Sequence, residues 1–104
     1  MSDFIIRKAI KKAEQSISTS KISAIGISKN GNIIAMATNR PRFDRYGGGV
    51  HAEMELLRRC GNRISTIIIC RVGRSGEIRP IDPCPRCKKV LDKMGIKIVT
   101  IKAE

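Results

Sequence analysis

The chain has 104 residues, of which 41% are hydrophobic, so its composition favours one globular domain over residues 1–104 and excludes a disordered polymer. Its formal net charge of +12, from 21 Lys and Arg against 9 Asp and Glu, favours polyanions such as nucleic acid or a nucleotide phosphate, although a generally basic, soluble surface would give the same count. No apolar run reaches the roughly 18 residues of a membrane span and the first residues lack the layout of a secretory signal, so we expect a cytoplasmic protein with reduced cysteines.

The first part of the chain predicts a helix followed by a hairpin. Apolar residues recur at helical spacing over residues 3–17, which indicates an amphipathic helix. Two apolar stretches, 22–28 and 33–38, predict strands. Asn30-Gly31 lies between them, and this dipeptide is typical of a type I′ turn, which needs positive φ at both central residues.

A long loop over residues 39–50 follows the hairpin, and loops of this length in small domains are usually functional or disordered. It carries two aromatic residues and three arginines: Phe43, Tyr46, Arg40, Arg42 and Arg45. We expect the aromatic rings either to stack on a base or to pack against the body of the domain. The guanidinium groups are placed either to bind a phosphate or to remain solvated.

The second part of the chain predicts alternating helices and strands. Gly61 and Gly95 are expected to end two helices, at 51–59 and 84–94. The polar stretch at 73–81 is expected to form a small ribbon. In order, the pattern indicates a helix at 51–59, a strand buried on both faces at 64–72, a polar excursion at 73–81, a helix at 84–94 and a strand at 96–101.

These elements predict an α/β fold. The final strand–helix–strand unit implies two parallel strands joined by a right-handed crossover, whereas the first two strands are antiparallel. We therefore expect a three-layer α/β/α arrangement with a mixed sheet of about four strands and helices on both faces.

The most specific pattern is His51-Ala52-Glu53 followed by Cys84 and Cys87 within Pro-Cys-Pro-Arg-Cys. It offers one imidazole, two thiols and a carboxylate. Three protein ligands leave the fourth position of a zinc ion open, which is typical of a catalytic site. Each half of the pattern opens a predicted helix, where the helix dipole favours thiolates. His51 and Glu53 lie two positions apart, on different sides of a regular helix, which argues against both being ligands.

Three neighbouring residues bear on this interpretation. A structural zinc knuckle would need Cys60 or Cys70 as a fourth ligand, but both are better explained as small core residues. Arg86 lies in the first turn of a helix, where the dipole disfavours cations, so it is a candidate for contact with a phosphate or substrate.

The His-x-Glu and Pro-Cys-x-x-Cys pattern resembles the signature of zinc-dependent base deaminases. Over nearly its whole length the chain is similar to the cytidine deaminase-like superfamily. The resemblance implies zinc ligation by His51, Cys84 and Cys87, with Glu53 as the proton shuttle. It also implies a substrate-contacting Asn39, and backbone groups of Ala52 and Cys84 beside the base and the attacking oxygen.

The resemblance leaves several functions open. The leading hypothesis is hydrolytic deamination of a cytosine base, in a nucleotide or in single-stranded nucleic acid. Asn39-Arg40-Pro41 resembles the same loop in tRNA adenosine deaminases, so adenosine in RNA is an alternative. A non-catalytic module that holds zinc and nucleic acid is another, although the intact Glu53 disfavours it. A short chain with one strongly apolar sheet also leaves room for a homo-oligomer.

Overall fold

The computed structural model describes residues 3–17, 20–41 and 49–102. Three α-helices and a mixed sheet appear in the predicted order, with two additional short strands at the ends of the predicted 39–50 loop. The helices are α1 (Asp3–Glu14), α2 (Ala52–Cys60) and α3 (Pro85–Lys93), and the strands are β1 (Lys21–Ile27), β2 (Ile33–Thr38), β3 (Arg40–Pro41), β4 (Gly49–Val50), β5 (Thr66–Val72), β6 (Ile78–Arg79) and β7 (Lys97–Thr100). Within these ranges, no helix combines the length and the apolarity that crossing a membrane requires.

Helix α1 ends three residues before the prediction. The backbone N–H of Ser16 still donates to the carbonyl of Ala13, but the Ser16 hydroxyl donates to the side chain of Asn39 at 2.8 Å. Ser16 therefore lies in the segment that follows the helix, and the next residue, Ile17, is 80% exposed. The extension of the apolar stripe to Ile17 was therefore wrong.

The hairpin between β1 and β2 is confirmed, but its turn is not type I′. The backbone N–H of Gly31 donates to the carbonyl of Ser28 at 3.0 Å, so Lys29 and Asn30 are the central residues of the turn. Among the described residues only glycines have positive φ, and Gly31 has a φ of 84°. A three-residue loop with glycine in the left-handed position replaces the two-residue turn, because it needs positive φ at one residue only.

Strand β5 organises the sheet. One of its edges pairs with β1 in antiparallel register, and β1 pairs in turn with β2. Its other edge pairs with β7 in parallel over Thr66–Ile69 and with β6 in antiparallel register at Arg71 and Val72. The predicted parallel crossover and the small ribbon are both present, and they make the sheet five-stranded.

Helices cover both faces of the sheet, as predicted. Alternate residues of β5 point to opposite faces, so Ile67 and Ile69 pack with α2 and α3, whereas Ile68 and Cys70 pack with α1. Helix α1 is fastened by the hydroxyl of Ser23, which donates to a backbone carbonyl of α1 at 2.7 Å in a buried position. The result is three layers, α/β/α.

The ends of the predicted loop at residues 39–50 form a short ribbon. Strands β3 and β4 pair in antiparallel register, with Arg40 opposite Val50 and Pro41 opposite Gly49. This ribbon leads directly into α2. It therefore joins the end of β2 to the His-Ala-Glu segment.

Candidate active site

The two halves of the sequence pattern lie at the N-termini of two helices. His51 is the N-cap of α2, with extended φ and ψ of −75° and 139°, and Cys84 is the N-cap of α3. Neither side chain makes a capping hydrogen bond. Both are therefore available to a ligand, at helix ends where backbone N–H groups favour negative charge.

The structure brings the three candidate zinc ligands together. One ligand atom from each of His51, Cys84 and Cys87 lies within 4.8 Å of the others, and Cys87 Sγ is 3.5 Å from His51 Nδ1. Zinc binds thiolate and imidazole at roughly 2.0 to 2.3 Å, so one ion can bridge atoms at this spacing. No other metal-ligating group of this kind occurs among the residues that the structure describes. The donor set, one nitrogen and two sulfurs, fits zinc.

The other two cysteines lie away from this cluster. Cys70 is fully buried and packs against α1, on the opposite face of the sheet from α3. Cys60 ends α2, nine positions from His51, which is roughly 13 Å along a helix. Both belong to the core, as predicted, so neither supplies a fourth ligand within this arrangement.

Glu53 lies beside the cluster. Its carboxylate is 4.0 Å from His51 Nδ1, and the residue is 5% exposed. Two positions apart on a regular helix, these side chains would diverge. They converge because His51 precedes the helix with extended backbone. The arrangement provides a buried carboxylate next to the place where a metal would bind.

The two thiols differ in acidity. The pKa of Cys84 is lowered, chiefly because the backbone N–H of Cys87 lies close to its sulfur in the first turn of α3. Burial, followed by the charge of Glu53, raises the pKa of Cys87 to about 12. The backbone N–H groups of the helix N-terminus therefore outweigh burial at Cys84 but not at Cys87. A bound zinc ion would supply the positive charge that deprotonates a coordinating thiol such as Cys87.

A cavity of about 540 Å³ opens beside the cluster. Five of the residues predicted for the site line it: Asn39, His51, Ala52, Glu53 and Cys84. Arg86 is exposed in the first turn of α3 and is not among the lining residues. The predicted contacts of Arg42, Phe43, Arg45 and Tyr46 lie outside the described residues, and Arg40 is described only as part of β3.

Asn39 lines the cavity while its amide is held by its neighbours. Its Oδ1 accepts from the hydroxyl of Ser16 at 2.8 Å and from the backbone N–H of Ile22 at 3.0 Å. Its Nδ2 donates to the carbonyl of Ser20 at 2.7 Å. Asn39 therefore joins the ends of α1, β1 and β2 at the edge of the cavity.

Sequence reasoning missed several residues of the cavity wall, above all Arg71. This half-buried cation lies near the end of β5, directly after the apolar run. A charged residue that interrupts an otherwise buried strand was the signal that could have revealed it. The other missed residues are Ser20, Ile22, Pro80, Ile81 and Asp82.

Comparisons with known proteins agree with this fold and this cluster. The cytidine deaminase of Mycobacterium leprae has a similar structure, with 18% sequence identity and a TM-score of 0.65 over 96% of this chain and 89% of that one. The cytidine deaminase of Mycobacterium tuberculosis is 20% identical, with a TM-score of 0.64 over 98% of this chain and 86% of that one. A comparison with curated protein sequences finds no match. The sequence model described as "Cytidine and deoxycytidylate deaminase zinc-binding region" matches residues 2–103. The chain therefore belongs to the cytidine and deoxycytidylate deaminase zinc-binding family.

Proposed function

We propose that this protein is a zinc-dependent hydrolase that removes the amino group from a cytosine base. One observation carries the proposal: a three-ligand His and Cys cluster lies beside the buried carboxylate of Glu53, at the wall of a cavity of about 540 Å³. A structural zinc site would use four protein ligands and would need neither the carboxylate nor the cavity.

The proposed ligands are His51 through Nδ1 and the thiolates of Cys84 and Cys87. Zinc bound by three protein ligands would polarise a water molecule in its open position and make it a nucleophile near neutral pH. Glu53, whose carboxylate lies 4.0 Å from His51 Nδ1, would accept a proton from that water. It would then deliver protons to the ring nitrogen and to the departing amino group, so that cytosine and water give uracil and ammonia.

The rest of the cavity is suited to hold a planar base. Ile22, Ala52 and Ile81 supply apolar surface, and a nucleobase has two apolar faces. Asn39 and the backbone beside Ala52 and Cys84 supply polar groups at the cavity wall. The same walls would orient the exocyclic amino group toward Glu53.

The test is turnover with a panel of amino-bearing bases. The zinc-loaded protein is incubated with cytidine, deoxycytidine, dCMP, adenosine, single-stranded DNA and structured RNA, and the products are identified by mass. We expect deamination of a cytosine substrate. Product from adenosine or from structured RNA alone would support the adenosine alternative instead.

Two variants of α2 separate chemistry from stability. Glu53→Gln is expected to keep zinc and the fold but to lose activity by about 100- to 10,000-fold, the usual contribution of a general acid–base. Glu55→Gln is the matched control, because Glu55 is equally buried but pairs with Arg58 at 2.7 Å. Equal activity of the Glu53 variant and the wild type, or no product from any substrate, would contradict the proposed function.

A further inference from the structure

A second cavity, of about 470 Å³, adjoins the first. It lies where the start of β1 meets the β5–β6 ribbon. Ser20, Arg71 and Pro80 line both cavities, so the two cavities are adjacent at these residues. None of the predicted site residues that the structure describes lines this second cavity.

The lining of the second cavity is strongly basic. Among the described residues that line it, Lys21, Arg71, Arg74 and Arg79 contribute four cations and Glu77 contributes one carboxylate, an excess of three positive charges. Glu77 is already paired, since its Oε1 lies 3.0 Å from Arg79 Nη2. Within the part of the chain that the structure describes, Lys21, Arg71 and Arg74 have no ion pair.

The strand register places two of these cations against each other. Arg71 and Arg79 are directly opposite in the antiparallel β5–β6 pair. Like charges at opposite positions destabilise a sheet unless a counter-charge lies between or beside them. Glu77 compensates Arg79 only, so an anion that bound in this cavity would relieve the remaining repulsion around Arg71.

We propose that the second cavity binds a phosphate group of the substrate while its base occupies the first cavity. This inference rests on the proposed function and names the substrate class: a cytosine nucleotide rather than a free nucleoside. Guanidinium groups bind phosphate oxygens through two parallel N–H donors, and a lysine adds a point charge. Arg71 contacts both cavities, so it lies where the sugar joins the base to its phosphate.

The experiment compares substrates that differ only in phosphate. The quantity measured is kcat/KM for CMP relative to cytidine, and for dCMP relative to deoxycytidine, at low and high salt. We expect a preference of about ten-fold or more for the monophosphates, as one charge-assisted interaction supplies, and we expect salt to reduce it. A short single-stranded oligonucleotide with one cytosine shows whether the phosphate belongs to a free nucleotide or to a strand.

Two arginine variants test whether the second cavity causes the preference for monophosphates. Arg74→Gln alters the second cavity only, and we expect the CMP-to-cytidine ratio of kcat/KM to fall by about ten-fold. Arg7→Gln, an exposed position of α1, makes the same change in net charge and should leave the ratio unchanged. An equal fall in both variants would show that only net charge matters and would overturn the phosphate site.

Failure of this inference differs from failure of the proposed function. Turnover of CMP and cytidine with equal kcat/KM would leave the deaminase intact and would overturn the phosphate site. If no substrate were turned over, calorimetric binding of CMP and cytidine would still test the cavity. Tighter binding of CMP that is lost in Arg74→Gln would support the phosphate site without any catalysis, and equal binding would overturn it.

Discussion

The thiol of Cys87 lies 3.5 Å from Nδ1 of His51, although 36 positions separate the two residues in the sequence. The path of the chain explains the contact. Helix α2 leads away from the site, and β5 returns along the sheet to the end where α2 began. After β5 the chain forms β6 and then α3, which begins beside the same cavity, and the first turn of α3 brings two thiols to the N-terminus of α2.

The first prediction concerns which cysteines hold zinc. Cys87→Ser should lose the metal, because it removes the buried thiol of the cluster. Cys70→Ala should keep a full complement of zinc, since Cys70 packs against α1 on the other face of the sheet. Zinc per protein, measured by elemental analysis of folded samples, checks both. Loss of zinc from a folded Cys70→Ala variant would show that the site has a fourth protein ligand.

The second prediction concerns Asn39 as a clamp at the cavity edge. Asn39→Ala removes hydrogen bonds to Ser16, Ser20 and Ile22, and should lower the free energy of unfolding by roughly 2 to 3 kcal/mol. Asn32→Ala is the control, because Asn32 is exposed in the hairpin loop. Urea unfolding measures both variants. An equal, small change in the two would mean that the clamp adds no stability.

The third prediction concerns the attachment of α1. The Ser23 hydroxyl donates to the Ala9 carbonyl at 2.7 Å, and both residues are fully buried. Ser23→Ala would remove this buried hydrogen bond, while the carbonyl keeps its partner within the helix, at a cost of about 1 kcal/mol in stability. Ser75→Ala, an exposed serine, should change stability by less than about 0.5 kcal/mol. Equal thermal midpoints for wild type and Ser23→Ala would contradict this role.

The fourth prediction concerns alkaline pH. Burial raises the pKa of Cys70 from its ordinary value of 9.0 to about 11. The unfolded chain loses this proton first, so between these two pH values the folded state binds more protons and the free energy of unfolding falls as pH rises. Cys70→Ala should unfold with a shallower dependence on pH over this window. Identical slopes in denaturant titrations of the two proteins would rule out a contribution from Cys70.

Much of the fold follows from local pattern. The apolar run that ends in Cys70 has the continuous hydrophobicity of a strand covered on both faces, and β5 is such a strand. Gly61 and Gly95 end their helices with φ of 55° and 72°, values that side-chain-bearing residues rarely adopt. The type of turn at Asn30-Gly31 could not be predicted from the local pattern. The same dipeptide occurs in hairpin loops of different lengths, and the register of the two paired strands decides which loop forms.

The spacing of His51, Glu53, Cys84 and Cys87 was sufficient to predict a zinc cluster with a neighbouring carboxylate, because the donor chemistry is carried by the residue types themselves. Only the tertiary structure revealed that Arg71 lines the cavity beside the cluster and a second, basic cavity next to it. Arg71, Lys21 and Arg74 come together because β5 pairs with β1 and turns into β6, and no local periodicity records such pairing. The chemistry of the side chains can thus be predicted from the sequence, whereas a cavity depends on which strands pair in the folded protein.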